Sequence, residues 1–180
     1  MRIISGKFKG RKIIPPKKLP IRPTTDKAKE ALFNILNNLY EWEDSSALDL
    51  FSGSGNITYE FGSRGIKNLV SVEINNKCYE FIKSTCENLK IEIKLYNRNV
   101  FVFLNRPSKP FDIIFADPPY NIPFSNLEKL IDLIYNNNFL KKKGILIIEH
   151  STHKNFNNNL RLINVRTYGN TCFSFFKSDI

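Results

Sequence analysis

Five continuous apolar runs, separated by segments with helical spacing, constrain the fold of this chain more than any other feature. The runs predict strands at 47–51, 69–72, 91–95, 111–116 and 145–148. Helices are predicted between them at 56–64, 75–88, 99–105 and 124–138. A strand with one face in water would alternate polar and apolar residues, so continuous runs indicate a sheet covered on both faces. The sequence therefore predicts a Rossmann-like, mostly parallel α/β sheet.

The two ends of the chain follow other patterns. Residues 160–168 and 171–176 are β-like runs joined by a short turn, which predicts a C-terminal antiparallel hairpin and a sheet of seven strands. The first 24 residues mix basic and apolar residues and are broken by prolines, which favours a β-hairpin or an extended arm appended to the core. A helix is predicted at 25–40. We expect one domain, 1–180, with an arm at 1–24 and a catalytic core at 25–180.

The net charge of +10 is concentrated at the N-terminus, because residues 1–30 contain ten Lys and Arg against two acidic residues. Such a distribution is typical of a surface that binds a polyanion. Charge alone also fits a solvated basic tail. No apolar run is long enough to span a bilayer and the N-terminus lacks a secretory signal, so we expect a cytoplasmic protein. Three cysteines without CxxC spacing predict reduced, mostly buried thiols and no metal.

A glycine-containing loop follows the first predicted strand, in the segment Asp49-Leu50-Phe51-Ser52-Gly53-Ser54-Gly55. Two glycines let the backbone turn sharply and approach a ligand at the carboxyl edge of the sheet. A dinucleotide-binding loop would carry a third glycine at position 58, where this chain has Thr58. Asp49 adds a carboxylate suited to a cationic, amino-acid-like ligand.

An acidic residue, Glu73, closes the second predicted strand, twenty residues after Gly53. A carboxylate at that place can accept hydrogen bonds from both ribose hydroxyls of a nucleoside cofactor. Alone, Glu73 also fits a surface residue that caps the next helix. Together with the glycine loop at this spacing, it indicates a nucleoside site.

The most specific motif is Asp117-Pro118-Pro119-Tyr120, directly after the fourth predicted strand. Consecutive prolines stiffen the turn and remove two N–H donors, which leaves carbonyls available to accept hydrogen bonds. Asp117 and the Pro118 carbonyl can together bind an amino group. Two acceptors suit the methylation of an aromatic amine, because they hold its protons while its nitrogen pyramidalises. Tyr120 supplies a flat surface on which a base can stack.

With these three motifs in order, the chain resembles the class I S-adenosylmethionine-dependent methyltransferases. Closer similarity covers nearly the whole chain and is carried by Gly6–Lys12, Arg22–Asp26 with Glu30–Asn34, and Tyr168–Thr171. These segments resemble the RsmD family of small-subunit ribosomal RNA guanine-N2 methyltransferases.

The resemblance implies a role for each motif. S-adenosyl-L-methionine would be held by the loop residues Asp49, Phe51, Gly53, Ser54 and Gly55, with Glu73 on the ribose. Asn99 stands where many such enzymes have an Asp that accepts from the adenine amino group, and its carbonyl can still accept. The guanine would lie at Asp117–Tyr120. The residues expected to bind RNA are Lys9, Arg11, Lys12, Arg22 and Thr24.

The resemblance also implies ribosomal RNA as partner, with an assembling small subunit as the substrate, and we expect a monomer. Four alternatives remain. An adenine-N6 DNA methyltransferase uses the same tetrapeptide, but this chain has no separate target-recognition domain. A protein glutamine methyltransferase would carry Asn at position 117. The missing third glycine disfavours an NAD-dependent oxidoreductase, and only the basic arm favours a non-catalytic RNA-binding assembly factor.

Overall fold

A computed structural model describes residues 1–16, 19 and 25–178. The strands are β1 (Ser46–Leu50), β2 (Asn68–Glu73), β3 (Lys94–Asn97), β4 (Phe111–Ala116), β5 (Leu140–Ser151), β6 (Leu162–Tyr168) and β7 (Thr171–Lys177). The helices are α1 (Asp26–Asn37), α2 (Asn56–Arg64), α3 (Asn76–Leu89), α4 (Val100–Leu104) and α5 (Phe124–Asn136), with a 3₁₀ turn at Trp42–Asp44.

The strands form one sheet in the order β3-β2-β1-β4-β5-β7-β6. Strands β1 to β5 pair in parallel, while β7 pairs antiparallel with both β5 and β6. The predicted seven-stranded, mostly parallel α/β fold with a C-terminal antiparallel hairpin is therefore confirmed. The order reverses direction at β1, because β2 lies on one side of it and β4 on the other, and ligands of open α/β sheets bind at such a point.

Two apolar layers cover the faces of the sheet. One packs α1, α2 and α3 against one face, and the other packs α4 and α5 against the opposite face. All three cysteines are free and buried, as predicted. None of the helices in the described residues combines the length and apolarity needed to cross a bilayer.

The third strand lies further along the chain than predicted. The apolar run at 91–95 favoured a strand there, whereas β3 covers Lys94–Asn97. Ile91 instead lies just beyond the end of α3, where its N–H donates to the carbonyl of Cys86 and its side chain packs beside Gly62. β3 is an edge strand with mostly exposed residues, so apolarity did not mark it.

Other boundaries differ less. β5 begins at Leu140, five residues before its predicted start, because the lysine-rich segment before Gly144 continues the pairing with β4 through an irregular register. The first helix ends at Asn37 rather than 40, and α5 ends at Asn136 rather than 138. The strand β4 and the helix α2 have the predicted bounds.

The predicted N-terminal hairpin is present, but it packs into the core instead of extending from it as an appendage. Arg2 and Lys12 form an antiparallel bridge, and the side chains of Ile3 and Ile13 are buried against the α1–α2 layer. Two apolar residues were too short a pattern to reveal this packing. The remainder of the predicted arm, at 17, 18 and 20–24, lies outside the described residues.

Candidate active site

The carboxyl ends of three neighbouring strands meet at one edge of the sheet. Leu50 is aligned with Val72 of β2 and with Ala116 of β4. The residues that follow these positions, Glu73 and Asp117 among them, therefore lie on the same edge. They surround a cavity of about 440 Å³, a volume within the usual range for a small-molecule ligand.

This cavity brings together ten of the eleven residues predicted for cofactor binding and catalysis. The ten are Asp49, Phe51, Gly53, Ser54, Glu73, Asn99, Asp117, Pro118, Pro119 and Tyr120. The cavity is also lined by residues that the sequence analysis missed: Ser52, Asn56, Ile57, Ile74, Asn75, Cys78, Val100 and Phe115. Ile74 could have been predicted from the sequence, because it is an apolar residue directly after the acidic residue that ends the second strand. In the structure it is 62% exposed.

Gly55 is absent from the cavity lining, and the structure gives it a different role. It caps the N-terminus of α2 with φ of 80°, a backbone conformation that favours glycine. A Cβ atom there would lie 2.6 Å from the ring of Tyr59. The second glycine of the loop is therefore required by the turn into α2 and by packing, while Gly53 lines the cavity.

Glu73 is 7% exposed and binds the backbone on both sides of the cavity. One carboxylate oxygen accepts from the N–H of Gly53 at 2.7 Å, and the other accepts from the N–H of Asn75 at 2.7 Å. Each carboxylate oxygen has a second lone pair. Glu73 therefore joins the glycine loop to the end of β2 and retains acceptor capacity.

Asp49 lies at the base of the cavity and is almost fully buried. Burial raises the pKa of its carboxyl to about 7, although a hydrogen bond from the Thr58 hydroxyl at 2.5 Å opposes that rise. A cationic group in the cavity would stabilise the ionised form. Thr58 also bonds to the hydroxyl of Ser71. Thr58, which stands where a dinucleotide-binding loop would have its third glycine, therefore supplies a buried hydroxyl that donates to Asp49.

Asn99 is the N-cap of α4, and its side-chain oxygen accepts from the N–H of Phe101 at 2.8 Å and of Val102 at 3.4 Å. The helix thus sets the orientation of the amide, because only its oxygen can accept from backbone N–H groups. The sequence analysis expected that oxygen to accept from a cofactor amine. In the structure it is already engaged by the helix.

The loop after β4 carries Asp117, Pro118, Pro119 and Tyr120. It begins with a hydrogen bond from the Asp117 N–H to the Leu50 carbonyl at 3.3 Å, which ties it to β1. The hydroxyl of Tyr120 lies 3.3 Å from that of Thr171 at the start of β7. The predicted acceptors and the predicted stacking surface therefore share one cavity with the glycine loop and Glu73.

The basic hairpin lies beside this cavity, on α2. Its side chains Lys9, Arg11 and Lys12 are exposed. Arg22 and Thr24, which were also expected to bind RNA, lie outside the described residues. Gly6 has φ of 82°, and a Cβ atom there would lie 1.9 Å from the backbone carbonyl oxygen of Ser63 in α2. A side chain at position 6 is therefore incompatible with the packing of the hairpin on α2.

A buried ion cluster holds the hairpin on α2. The Glu60 carboxylate accepts from the N–H groups of Ile4 and Ser5 at 2.8 and 3.0 Å. It also pairs with Lys29 at 3.5 Å and with Arg64 at 3.0 Å. The Lys29 ammonium donates to the Asn56 side chain at 2.8 Å, and Asn56 lines the cavity. The cluster therefore connects the hairpin with the residue that directly follows the glycine loop.

Comparisons with known proteins show the family to which this chain belongs. The family model "Conserved hypothetical protein 95" matches residues 1–177. Ribosomal RNA small subunit methyltransferase D of Buchnera aphidicola is 35% identical over 86% of this chain and 78% of its own. The enzyme of the same name from Haemophilus influenzae is 33% identical over 86% of this chain and 80% of its own. The solved structure of YhhF from Escherichia coli has a TM-score of 0.87 and 28% identity, covering 99% of this chain and 98% of that chain.

Proposed function

Since this chain belongs to the RsmD family and is a methyltransferase, we propose that it methylates the exocyclic N2 of a guanine in small-subunit ribosomal RNA. S-adenosyl-L-methionine is the proposed methyl donor. The observation that carries the proposal is that Asp117–Tyr120 and the glycine loop with Glu73 line the same cavity. A methyl donor and an amino group can therefore meet at one edge of the sheet. In our proposal, one domain, 1–180, and a single copy of the chain carry out the reaction.

The residues of the cavity fit this donor, which supplies an electrophilic methyl group on a sulfonium sulfur. The buried carboxylate of Asp49 suits the cationic part of the molecule, and Glu73 suits the ribose hydroxyls through its remaining lone pairs. Phe51, Gly53 and Ser54 form the part of the cavity wall that the glycine loop supplies. The role of Gly55 is to hold this wall in place through its turn into α2.

Methyl transfer requires the lone pair of the target nitrogen to attack the methyl carbon as the carbon–sulfur bond breaks. In our proposal, Asp117 and the Pro118 carbonyl accept the two N–H groups of the amine, so that the lone pair turns toward the donor. The nitrogen becomes cationic when the new bond forms and then loses one proton. In the proposal, Asp117 accepts this proton. Tyr120 stacks on the base and sets its plane.

Asn99 offers a test of the adenine end of the cofactor site. The Asn99 oxygen caps α4, so the amide NH₂ is the group left to face a cofactor. This NH₂ is a donor, and the adenine amine is also a donor, so the two cannot share a hydrogen bond. In Asn99→Asp, one carboxylate oxygen keeps the cap and the second becomes an acceptor, and Asp caps helices as well as Asn does. We expect about five-fold tighter S-adenosylhomocysteine binding, roughly 1 kcal/mol, by calorimetry.

The matched control for Asn99→Asp is Asn34→Asp, which adds the same charge on the exposed side of α1. Its affinity for S-adenosylhomocysteine should equal that of the wild type. Equal or weaker binding by Asn99→Asp would show that the adenine amine is not recognised at this position.

The exposed hairpin residues Lys9, Arg11 and Lys12 are proposed to contact RNA phosphates, together with Arg22 and Thr24. Replacing the first three with alanine should weaken RNA binding largely independently of sequence. The slope of log K against log salt should become shallower by roughly 0.7 per lost phosphate contact. Fluorescence anisotropy with labelled ribosomal RNA fragments at several salt concentrations measures this slope.

The control for the hairpin removes three other exposed lysines, Lys67, Lys109 and Lys142, near the amino ends of β2, β4 and β5. These residues lie at the opposite edge of the sheet from the cavity. Both triple variants lose the same charge, so a difference between them reports position. Equal salt slopes for the two variants would show that the hairpin is not the docking surface.

The substrate class is tested with methyl-labelled S-adenosylmethionine, small and large ribosomal subunits, and their protein-free RNA. The proposal predicts label in small-subunit RNA, and in an assembling subunit in preference to free RNA. Label in large-subunit RNA or in ribosomal protein would overturn it. A ribosomal substrate agrees with the cytoplasmic location expected from the sequence.

A further inference from the structure

The loop that carries the proposed base-binding residues has few hydrogen bonds of its own. Pro118, Pro119 and Pro123 have no N–H groups, so the loop has few donors with which to hold itself. Among the described residues, its backbone N–H groups donate from Asp117 to β1 and from Ile122 to the Pro119 carbonyl at 2.9 Å. The position of the loop therefore depends on contacts from outside it.

One side chain from another part of the chain supplies such contacts. The ammonium of Lys154 donates to the carbonyl of Tyr120 at 2.9 Å and to the carbonyl of Ile122 at 2.6 Å. Lys154 follows β5 and is separated by more than thirty residues from both acceptors. Among the described residues it forms no salt bridge, so its charge is directed at these two carbonyls. Hydrogen bonds from a charged donor are roughly twice as strong as those between neutral groups.

The segment that carries Lys154 is itself anchored in the core. Phe156, two residues later, is 3% exposed. Its ring lies 5.2 Å from that of Phe124 at the start of α5, 5.1 Å from that of His150 and 5.2 Å from that of Phe176. Phe124 directly follows the loop at 117–123, the base loop. The same packing therefore holds the end of the base loop that joins α5. Lys154 therefore reaches the loop from a position determined by the core.

We propose that Lys154 is a positioning residue for methyl transfer. It holds the backbone of Tyr120 and Ile122 so that the Tyr120 ring and the Asp117 carboxylate keep the separation that the target base requires. This proposal rests on the proposed role of residues 117–120. Lys154 acts through the loop and touches neither the base nor the methyl donor.

The test compares Lys154→Met, which keeps the aliphatic stem and removes the ammonium, with His153→Ala, a change at the exposed neighbouring residue. At saturating S-adenosylmethionine and RNA, single-turnover methyl transfer should fall about 10- to 100-fold in Lys154→Met, as expected for a small misplacement of reacting groups. S-adenosylhomocysteine affinity and binding stoichiometry should stay at wild-type values. Lys154→Arg, which can still donate to both carbonyls, should recover part of the rate.

Hydrogen exchange gives a second measurement that does not depend on the substrate. The amides of residues 120–122 and 124 should exchange faster in Lys154→Met than in the wild type or in His153→Ala. Unchanged exchange in this segment overturns the proposal, as does a wild-type single-turnover rate in Lys154→Met. If the wild type methylates no ribosomal RNA, the proposed substrate is wrong, and the exchange experiment alone then decides whether Lys154 holds the loop.

Discussion

Replacing Asp117 with alanine is expected to lower methyl transfer by about 10²-fold or more while leaving cofactor binding nearly unchanged. Asp117 lines the cavity in the loop proposed to hold the base, and β1 lies between its strand and that of Glu73. Loss of a preorganised polar partner at a reacting centre has an effect of this size. Single-turnover transfer to ribosomal RNA and calorimetric titration with S-adenosylhomocysteine measure the two quantities separately.

Glu73→Ala is the comparison variant, because it is expected to weaken cofactor binding, which Asp117→Ala leaves nearly unchanged. It removes the carboxylate proposed to bind the ribose, so S-adenosylhomocysteine affinity should fall by roughly 1 to 3 kcal/mol. Asp117→Asn keeps one acceptor oxygen and should retain more activity than Asp117→Ala. If Asp117→Ala transferred methyl groups at the wild-type rate, the base would have to be held elsewhere. If it lost cofactor affinity as Glu73→Ala does, Asp117 would belong to the cofactor site.

Replacing Glu60 with alanine is expected to reduce the free energy of unfolding by about 3 to 5 kcal/mol. Glu60 is fully buried and is the partner of two buried cations, Lys29 and Arg64. Burial lowers the pKa of Lys29, and the charge of Glu60 opposes that shift. Removal of one partner from a buried ion pair leaves charge uncompensated, which is strongly destabilising. Two backbone N–H groups of the hairpin also lose their acceptor.

Urea unfolding measures this loss, and Glu43→Ala is the control. Glu43 pairs with Lys67 at the surface, where both side chains are about three-quarters exposed, and such pairs contribute little. A double variant, Lys29→Met with Glu60→Leu, should recover part of the stability, because it replaces the pair with apolar groups. If Glu60→Ala lost no more stability than Glu43→Ala, the cluster would not hold the hairpin.

The sequence predicted that the candidate site residues lie together at one sheet edge, because these residues follow strands whose apolar runs were easy to locate. The bounds of β4 were predicted correctly, and these placed Asp117 directly at the sheet edge. The end of β2 placed Glu73 there in the same way. Parallel pairing then brought both to β1 and the glycine loop, since neighbouring parallel strands end at one edge. The apolar runs were therefore sufficient to locate these residues, because the parallel sheet brings the ends of its strands together.

Features that depend on tertiary contacts were not predictable from the pattern. Lys29 and Glu60 lie on amphipathic helices, where charged residues ordinarily indicate the solvated face, yet both are buried because they neutralise each other beneath the hairpin. The contact from Lys154 to the base loop joins residues far apart in the chain. Asn99 was predicted as a ligand from its place in a motif, whereas its use as a helix cap became clear only from the start of α4.

The identity of the methylated nucleoside tests the central claim most directly. Small ribosomal subunits from cells that lack this protein are incubated with the enzyme and S-adenosylmethionine, and their RNA is then digested to nucleosides and examined by mass spectrometry. The proposed function predicts N2-methylguanosine as the product, at one site in the RNA, with Asp117→Ala yielding about one hundredth of the wild-type rate or less. N6-methyladenosine as the product, or RNA that is bound but never methylated, would contradict it.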